Sequence, residues 1–249
     1  MPLLSPNDPS PVGVHNADSR SPFLIICDHA GRRVPYTLGD LGLPAAEFER
    51  HIAWDIGAAG LSRLMGERLD ACVIAQIYSR LVIDCNRWPG ASDSIPDFVD
   101  GAAILGNRNL SAHDAAARLD EVHTPYHQAI SNVLDARAER RTPTALILVH
   151  SFTPSLGGKQ RPWHVGVLHA HDSALSDAML DLLAQEPDLL VGDNEPYAMD
   201  GTDYTAPHHA RSRGLDYCEL EIRQDLIADS QGQARFADLL ARLLSATLG

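Results

Sequence analysis

The sequence has few cysteines, and none has the spacing of a redox or zinc motif. The four are Cys27, Cys72, Cys85 and Cys218, and no pair forms a CxxC. Each lies in or beside an apolar run, which favours buried free thiols, because unpaired cysteine is among the most often buried residue types. The pattern gives no support to a disulfide or to a cysteine nucleophile.

Basic residues are also scarce. The chain has 20 Lys and Arg against 33 Asp and Glu, for a formal net charge of -13 at pH 7. This balance argues against a nucleic-acid partner, because phosphate contacts need a basic surface. It does not exclude a small anionic substrate, because a few arginines in a cleft can reverse the potential locally.

The sequence lacks an apolar run long enough to span a bilayer and has no basic-then-apolar signal pattern at its N-terminus. We therefore expect a cytoplasmic protein without membrane contact. It also lacks internal repeats and any clear linker, and 249 residues suit one large α/β domain. We expect an irregular N-terminal arm over residues 1–22, rich in Pro, Ser, Asn and Asp, followed by a single domain over residues 23–249.

What the chain does have is an alternation of apolar runs and helical stripes. This pattern predicts a single-domain, three-layer α/β/α fold around a mostly parallel mixed sheet. Strands are predicted over residues 23–27, 71–77, 80–84, 163–169 and 217–222, with a central strand inside residues 145–154. Helices are predicted from Asp55 onward, after Ser111, and over residues 173–184 and 235–248. Residues 88–107 and 191–205 are predicted to form long polar loops.

Polar side chains follow several of the apolar runs. Asp28 and His29 come directly after the first strand, and the central run leads into His150. Asp84, Asn86 and Arg87 follow the apolar residues 81–83. Ligands of open α/β sheets bind beyond the carboxyl ends of the strands, so these side chains are expected to converge on one site.

Two histidines at strand ends suggest a metal centre. Zinc prefers imidazole and carboxylate ligands, and a catalytic site leaves one position open for water. We predict one Zn²⁺ per chain, bound by His29, Asp55 and His150. The carboxylate ligand is the open choice, since an acid at a helix start is also stabilised by the helix dipole. Glu47, Glu49 and His51 remain alternatives, and either histidine would also suit a simple hydrogen bond to backbone.

The late strand carries two acids on one face. Strand alternation puts Glu219, Glu221 and Arg223 on one side, with Leu220 and Ile222 on the other. Acids on an otherwise apolar strand are costly to bury without a role, although a solvated edge strand would also accommodate them. We predict Glu221 as the general base and Glu219 as a supporting residue, one of the two pairing with Arg223.

Substrate contacts are predicted around the Asp84-Cys85-Asn86-Arg87 stretch. An arginine fork binds a carboxylate bidentately, and a neighbouring amide adds a donor. Arg87, Asn86 and either Arg80 or Arg223 are therefore expected to hold a substrate carboxylate, with Asp84 bracing the arginine. Further candidates are Asn194 and Tyr197, in a turn-rich loop, and His209, which suits an oxyanion donor or a local backbone cap.

These segments together resemble the N-formylglutamate amidohydrolase family, within the wider group of zinc carboxypeptidase-like and aspartoacylase-like hydrolases. The resemblance covers nearly the whole chain after the N-terminal arm. It rests on Asp28-His29-Ala30-Gly31 with Pro35, residues 51–58, residues 79–87, Val149-His150-Ser151-Phe152, residues 192–197, His209-Ala210 and residues 219–226.

The resemblance implies a carboxypeptidase-like α/β/α fold and zinc-dependent hydrolysis of the N-acyl bond of a small N-acyl amino acid that carries a carboxylate. For N-formylglutamate the products would be formate and glutamate. Carboxypeptidases place a glutamate ligand three residues after the first histidine, whereas Arg32 stands there in this chain. There are two alternative interpretations. The same residues could act on another N-acyl amino acid or a small peptide, or the chain could be a binding protein that keeps the fold without catalysis.

Overall fold

The structure is a computed structural model that describes residues 2–248. Its helices are α1 (Ala58–Leu69), α2 (Ala112–Arg118), α3 (Thr124–Glu139), α4 (Ala174–Leu183) and α5 (Ser230–Ala246). Its strands are β1 (Val12–His15), β2 (Phe23–Cys27), β3 (Cys72–Gln76), β4 (Phe98–Val99), β5 (Ala102–Ala103), β6 (Ala145–Phe152), β7 (Ser155–Leu156), β8 (Lys159–Gln160), β9 (Val165–Leu168), β10 (Val191–Asp193) and β11 (Tyr217–Arg223).

A mixed sheet organises the fold. Within residues 2–248 it has seven strands in the order β1-β3-β2-β6-β11-β9-β10. The pairs β2–β3, β2–β6, β6–β11 and β9–β10 are parallel, while β1–β3 and β9–β11 are antiparallel. The predicted fold, a single α/β domain around a mostly parallel mixed sheet, is therefore confirmed.

Helices cover both faces of this sheet because its inner strands are apolar on both sides. One face, with Ile25 and Val149, packs against α1, α4 and α5. The other face, with Leu24 and Leu148, packs against α3. Burial of one aliphatic side chain of this kind stabilises the fold by about 1.5–3 kcal/mol relative to leaving it exposed. The two apolar layers therefore fix the position of the sheet edge that carries the polar residues.

Residues 80–84 do not form the predicted strand. They are buried, but the chain turns there, and side chains replace the hydrogen bonds of a ladder. Ser79 Oγ donates to the Ala53 carbonyl at 2.7 Å, and Asp84 Oδ1 accepts from the Asn86 amide at 2.9 Å. Polar side chains of this kind compete with regular structure for backbone groups, which an apolar pattern does not reveal.

The predicted irregular arm, residues 1–22, contains a strand. β1 pairs antiparallel with β3, with Val12 opposite Gln76 and His15 opposite Val73. The strand is short and lies at the edge of the sheet, where it hydrogen-bonds to a neighbour on one side only. Because an edge strand is not enclosed by other strands, its sequence has no buried apolar run. Met1 and Gly249, the ends of the two predicted segments, lie outside the described residues.

Helix α1 begins three residues later than predicted, at Ala58, after a turn at Gly57 with φ +84°. A Cβ atom at position 57 would lie 2.1 Å from the Ile227 carbonyl oxygen, so only glycine fits. This turn sets the position of Asp55. Over residues 2–248, none of the helices has the length and apolar character that a membrane crossing requires.

Candidate active site

Three buried side chains meet at the carboxyl edge of the sheet. His29 follows β2, His150 lies near the end of the neighbouring strand β6, and Asp55 lies on the connection from β2 to α1. The Asp55 amide donates to the His29 carbonyl at 2.9 Å, which fixes the connection against the end of β2. One possible ligand atom from each of the three lies within 4.8 Å of the other two.

The two imidazoles face Asp55 in the same way. His29 Nδ1 lies 3.3 Å and His150 Nδ1 lies 2.9 Å from Asp55 Oδ2. The Nε2 atoms point away, toward other buried carboxylates. His29 Nε2 lies 2.7 Å from Asp84 Oδ1, and His150 Nε2 lies 3.4 Å from Asp28 Oδ2. Each ring therefore lies between two acids.

Negative charge dominates this cluster. Burial alone would raise the pKa of Asp55, but the charge of His29 and a hydrogen bond with His150 outweigh burial and lower it well below its usual range. Burial also opposes a charged His150, yet the neighbouring carboxylates of Asp28 and Asp55 raise its pKa well above the usual value. The acids thus stabilise positive charge between them, whether on the imidazoles or on a bound cation.

The donor set fits a divalent metal. Two imidazole nitrogens and one carboxylate oxygen converge, as in catalytic zinc sites that have three protein ligands. His150 Nε2, Asp28 Oδ2, Glu219 Oε2 and Glu221 Oε2 are buried without a hydrogen-bond partner among residues 2–248. Of the alternative ligands, Glu47 pairs with Arg50 and Glu49 pairs with Arg32. His51 lines the same cavity as the cluster, but it faces Asp100 and is not part of the three-residue group. Within residues 2–248, the group of three side chains that could hold a metal ion is His29, Asp55 and His150. Its geometry does not decide which metal.

Glu219 and Glu221 lie beside this cluster on β11. Both line a cavity of about 340 Å³ that also contains His29, Asp55 and His150. Burial raises the pKa of Glu221 to about 7 and raises that of Glu219 well above its usual value. Glu219 Oε1 lies 4.0 Å from His150 Nε2. A carboxyl group with a pKa near 7 can both accept and donate a proton at neutral pH.

Arg80, Asn86 and Arg87 also line the cavity. Arg80 donates to Asp84 Oδ2 through Nε at 3.0 Å and Nη2 at 2.7 Å, and its Nη1 lies 3.4 Å from Asp55 Oδ1. The predicted pairing of Asp84 with an arginine is thus made with Arg80. This guanidinium offsets part of the negative charge around the three-residue cluster.

Arg87 and Asn86 are held by a segment far away in sequence. Arg87 Nη1 lies 3.3 Å from Asp203 Oδ1, and Arg87 Nε lies 3.0 Å from Asp93 Oδ2. Asn86 Oδ1 accepts from the backbone amides of Tyr204 and Thr205. Asn86 therefore braces the 203–205 segment, and Arg87 shares its charge with two acids of the protein.

Three predicted substrate contacts are directed elsewhere. His209 is fully buried, with Nε2 2.9 Å from His127 Nδ1. Asn194 Oδ1 accepts from the amides of His169 and Met199, which holds its own loop. Arg223 is at the end of β11, where it pairs with Asp225 and donates to the Pro162 carbonyl. Tyr197, in contrast, lines the cavity, and its hydroxyl accepts from Arg161 at 2.8 Å.

Two acids near the site had no role predicted from the sequence. Asp28 was visible as the residue between the first strand and His29, but its side chain had no assigned role. Asp203 had no local signal, because it meets Asn86 and Arg87 only through a bridge between residues more than a hundred positions apart. Asp203 and Asp200 both line the cavity next to Arg87.

Comparisons with known proteins give a family and similar structures. The model of the N-formylglutamate amidohydrolase family matches residues 21–228. A protein of Agrobacterium tumefaciens is similar in structure, with 36% identity and a TM-score of 0.95, covering 99% of this chain and 98% of its own. An N-formylglutamate amidohydrolase from Ralstonia eutropha shares the fold at 18% identity and a TM-score of 0.70, covering 95% of this chain and 96% of its own. None of the curated proteins gives a significant match.

Proposed function

This chain belongs to the N-formylglutamate amidohydrolase family, and from that membership we propose that it hydrolyses the N-acyl bond of an N-acyl amino acid, with N-formylglutamate as the first candidate. One observation carries the proposal. A buried His-Asp-His cluster and a carboxyl group with a pKa of about 7 share one cavity. Amide hydrolysis needs an electrophilic centre beside a group that moves protons. A metal ion held by the cluster would be the first, and the carboxyl group would be the second.

His29, Asp55 and His150 are the residues that would hold the metal, and their nitrogen and oxygen donors suit zinc. When bound, the ion would supply Lewis acidity for the acyl oxygen and the attacking water. Arg80 supports the cluster from the side by offsetting the charges of Asp55 and Asp84. The Nε2 contact of His29 with Asp84 orients that ring.

Glu221 carries the proton in this proposal. As a carboxylate it accepts a proton from the attacking water while the water oxygen bonds to the acyl carbon. It then gives that proton to the nitrogen as the carbon–nitrogen bond breaks. N-formylglutamate and water would thus yield formate and glutamate. The position of Glu221 beside His150 in the sheet supports this role.

Arg80 and Arg87 are the proposed contacts for the substrate carboxylate. Both line the cavity, and about a quarter of each side chain is exposed, 26% for Arg80 and 24% for Arg87. Tyr197 is the proposed hydroxyl contact on the opposite loop. The backbone bonds that occupy Asn86 give this residue a bracing role in the proposal rather than a direct one.

A second candidate is an N-acyl amino acid with a single carboxylate. Asp200 and Asp203 line the cavity beside Arg87, so a second negative charge on the substrate would meet repulsion there. This observation favours a substrate with a neutral side chain, processed by the same residues.

A substrate series tests both candidates. We would compare kcat/KM for N-formylglutamate, its neutral isostere N-formylglutamine, and N-acetylglutamate. The series separates the effect of the substrate side-chain charge on kcat/KM from the effect of the acyl size. A clear preference for N-formylglutamate supports the first candidate, and a preference for N-formylglutamine supports the second. Turnover of none of these by zinc-loaded protein would contradict both candidates and favour a binding protein.

A further inference from the structure

A buried polar network around Asp28 contacts the two histidines. Asp28 is 1% exposed, and its Oδ1 accepts from the Tyr126 hydroxyl at 2.9 Å and from Thr205 Oγ1 at 3.0 Å. Its other oxygen, Oδ2, lies 3.4 Å from His150 Nε2. Both of these last two atoms are buried, and neither forms a hydrogen bond among residues 2–248. The other acid near Nε2 is Glu219, with Oε1 at 4.0 Å.

The two hydroxyl donors leave Asp28 with one orientation. Because Oδ1 accepts both of them, Oδ2 is the oxygen that faces His150. An ionised carboxylate only accepts hydrogen bonds, so Asp28 Oδ2 favours hydrogen on Nε2, while Asp55 Oδ2, 2.9 Å from Nδ1, favours hydrogen on Nδ1 when no cation is bound. A cation at the centre of the cluster would take the Nδ1 lone pair and pair with Asp55, which would leave Nε2 as the nitrogen that carries the hydrogen.

We propose that Asp28 is a positioning residue, which keeps the hydrogen of His150 on Nε2 so that Nδ1 is free to bind the metal. The proposal rests on the metal site described under the proposed function. In metal sites, a ligating histidine usually donates its second N–H to a carboxylate or carbonyl, and this bond fixes the ring and its tautomer. Asp28 would act on the metal only through His150.

The same network reaches the second histidine. The backbone N–H of Thr205 donates to Asn86 Oδ1 at 2.9 Å, and the backbone N–H of Asn86 donates to Asp84 Oδ1 at 2.9 Å. Asp84 Oδ1 in turn lies 2.7 Å from His29 Nε2. Thr205 and Asn86 thus connect the carboxylate beside His150 with the one beside His29. In this proposal, Asp84 and Asn86 therefore help to position the histidines of the metal site.

Asp28→Asn is the sharpest test, because it keeps the shape and reverses one hydrogen bond. With Tyr126 and Thr205 donating to the amide oxygen, the new NH₂ group faces His150 Nε2 as a donor. This arrangement favours hydrogen on Nδ1, which blocks that ligand. We expect zinc affinity, measured by competition with a chromophoric chelator, to fall by about 10–100-fold.

A matched pair of tyrosines provides the control. Tyr126→Phe removes one donor to Asp28, and we expect a smaller loss of zinc affinity than for Asp28→Asn. Tyr78 is equally buried, but its hydroxyl donates to the Pro9 carbonyl, outside the network. Tyr78→Phe should leave zinc affinity unchanged. If Asp28→Asn does not fold, Tyr126→Phe and Thr205→Val decide: weaker zinc binding in both supports the role, and unchanged binding in both overturns it.

A ¹⁵N NMR spectrum of zinc-loaded wild-type protein gives a second readout, since long-range correlations identify the ring nitrogen that carries hydrogen. Hydrogen on Nε2 of His150 is the expected result. Hydrogen on Nδ1, or unchanged zinc affinity in a folded Asp28→Asn protein, would overturn the proposal while leaving the proposed function intact. Wild-type protein that binds no zinc would overturn both, and neither readout depends on the choice of substrate.

Discussion

Glu221 lies directly beside His150 in the sheet. The two residues are register partners in the parallel pair β6–β11, so their side chains project from the same face. The preceding partners on that face are Leu148 and Glu219. This register brings a buried acid next to a candidate metal ligand without any contribution from a loop, and the strands on either side hold it in place.

Replacement of Glu221 by glutamine removes the proposed proton carrier with little change in shape. We expect kcat for N-formylglutamate to fall by about 10²–10⁴-fold, with zinc content unchanged, because Glu221 is not one of the three proposed ligands. Glu67→Gln, which alters a surface pair with Arg63, is the control and should keep full activity. Equal activity of the Glu221 and Glu67 variants would exclude the role.

The two cavity arginines should behave differently when each is changed to alanine. Arg87 contacts Asp93 and Asp203, away from the cluster, so Arg87→Ala should raise KM by about 10–100-fold and leave zinc affinity unchanged. Arg80 contacts Asp55 and Asp84, so Arg80→Ala should weaken zinc binding as well. Kinetics and a zinc competition assay on both proteins check this. Loss of zinc from the Arg87 variant would instead indicate a structural role for Arg87.

Asp203 should set the response to substrate charge. Asp203→Asn removes the acid closest to Arg87 in the cavity, so kcat/KM for N-formylglutamate should rise relative to that for N-formylglutamine. Asp93→Asn removes the other acid that pairs with Arg87, a more exposed one, and should change this ratio less. A ratio that does not move in the Asp203 variant means that the substrate side chain binds elsewhere.

Gly57 should be intolerant of a side chain. Its φ is +84°, and a Cβ atom there would lie 2.1 Å from the Ile227 carbonyl oxygen. We therefore expect Gly57→Ala to lower the free energy of unfolding by about 1–3 kcal/mol. The same change should displace Asp55 and so weaken zinc binding. Gly39 also has a positive φ, +58°, but nothing lies within 4 Å of its Cβ position. Gly39→Ala should therefore cost less and keep zinc affinity. Denaturant titration and zinc competition compare the two, and equal effects would argue against the steric explanation.

Acid should destabilise the protein through His127. Burial lowers the pKa of His127 to about 3, below the value of about 6.5 for an exposed histidine. Between these values the unfolded chain binds the proton and the folded one does not, so stability is present above pH 6.5 and is lost as the pH falls toward 3. The loss reaches about 1.4 kcal/mol per pH unit.

His127→Gln should reduce the slope of the unfolding free energy against pH between pH 6 and 4, which is roughly the middle of that window. His113 is exposed, so His113→Gln is the control. Denaturant titrations at several pH values measure both slopes. An unchanged slope in the His127 variant would show that this histidine is protonated to the same extent in both states.

Much of the fold follows from residue patterns. The strand predicted over residues 23–27 is β2, and the one over residues 217–222 is β11 without Arg223, because long apolar runs between polar turns leave little choice. The stretch 80–84 has the same apolar character yet turns, since Ser79 and Asp84 bond the local backbone. Strand β1 was missed because edge strands lack a buried pattern.

The site was predictable where its residues follow strands. His29 and His150 lie at the ends of neighbouring strands, so their approach could be expected from the topology alone. Asp203 could not, since it meets Arg87 across a loop that no local pattern places. His209 was predicted at the site because histidine suits an oxyanion donor, but its ring packs against His127 inside the protein.

The most direct test is zinc content by elemental analysis, combined with N-formylglutamate hydrolysis before and after chelation. We predict about one zinc per chain, activity that is lost to a chelator, and recovery when zinc is added back. Hydrolysis that continues undiminished in protein stripped of metal, or a protein that takes up no zinc when it is offered, would contradict a metal-dependent hydrolase built on His29, Asp55 and His150.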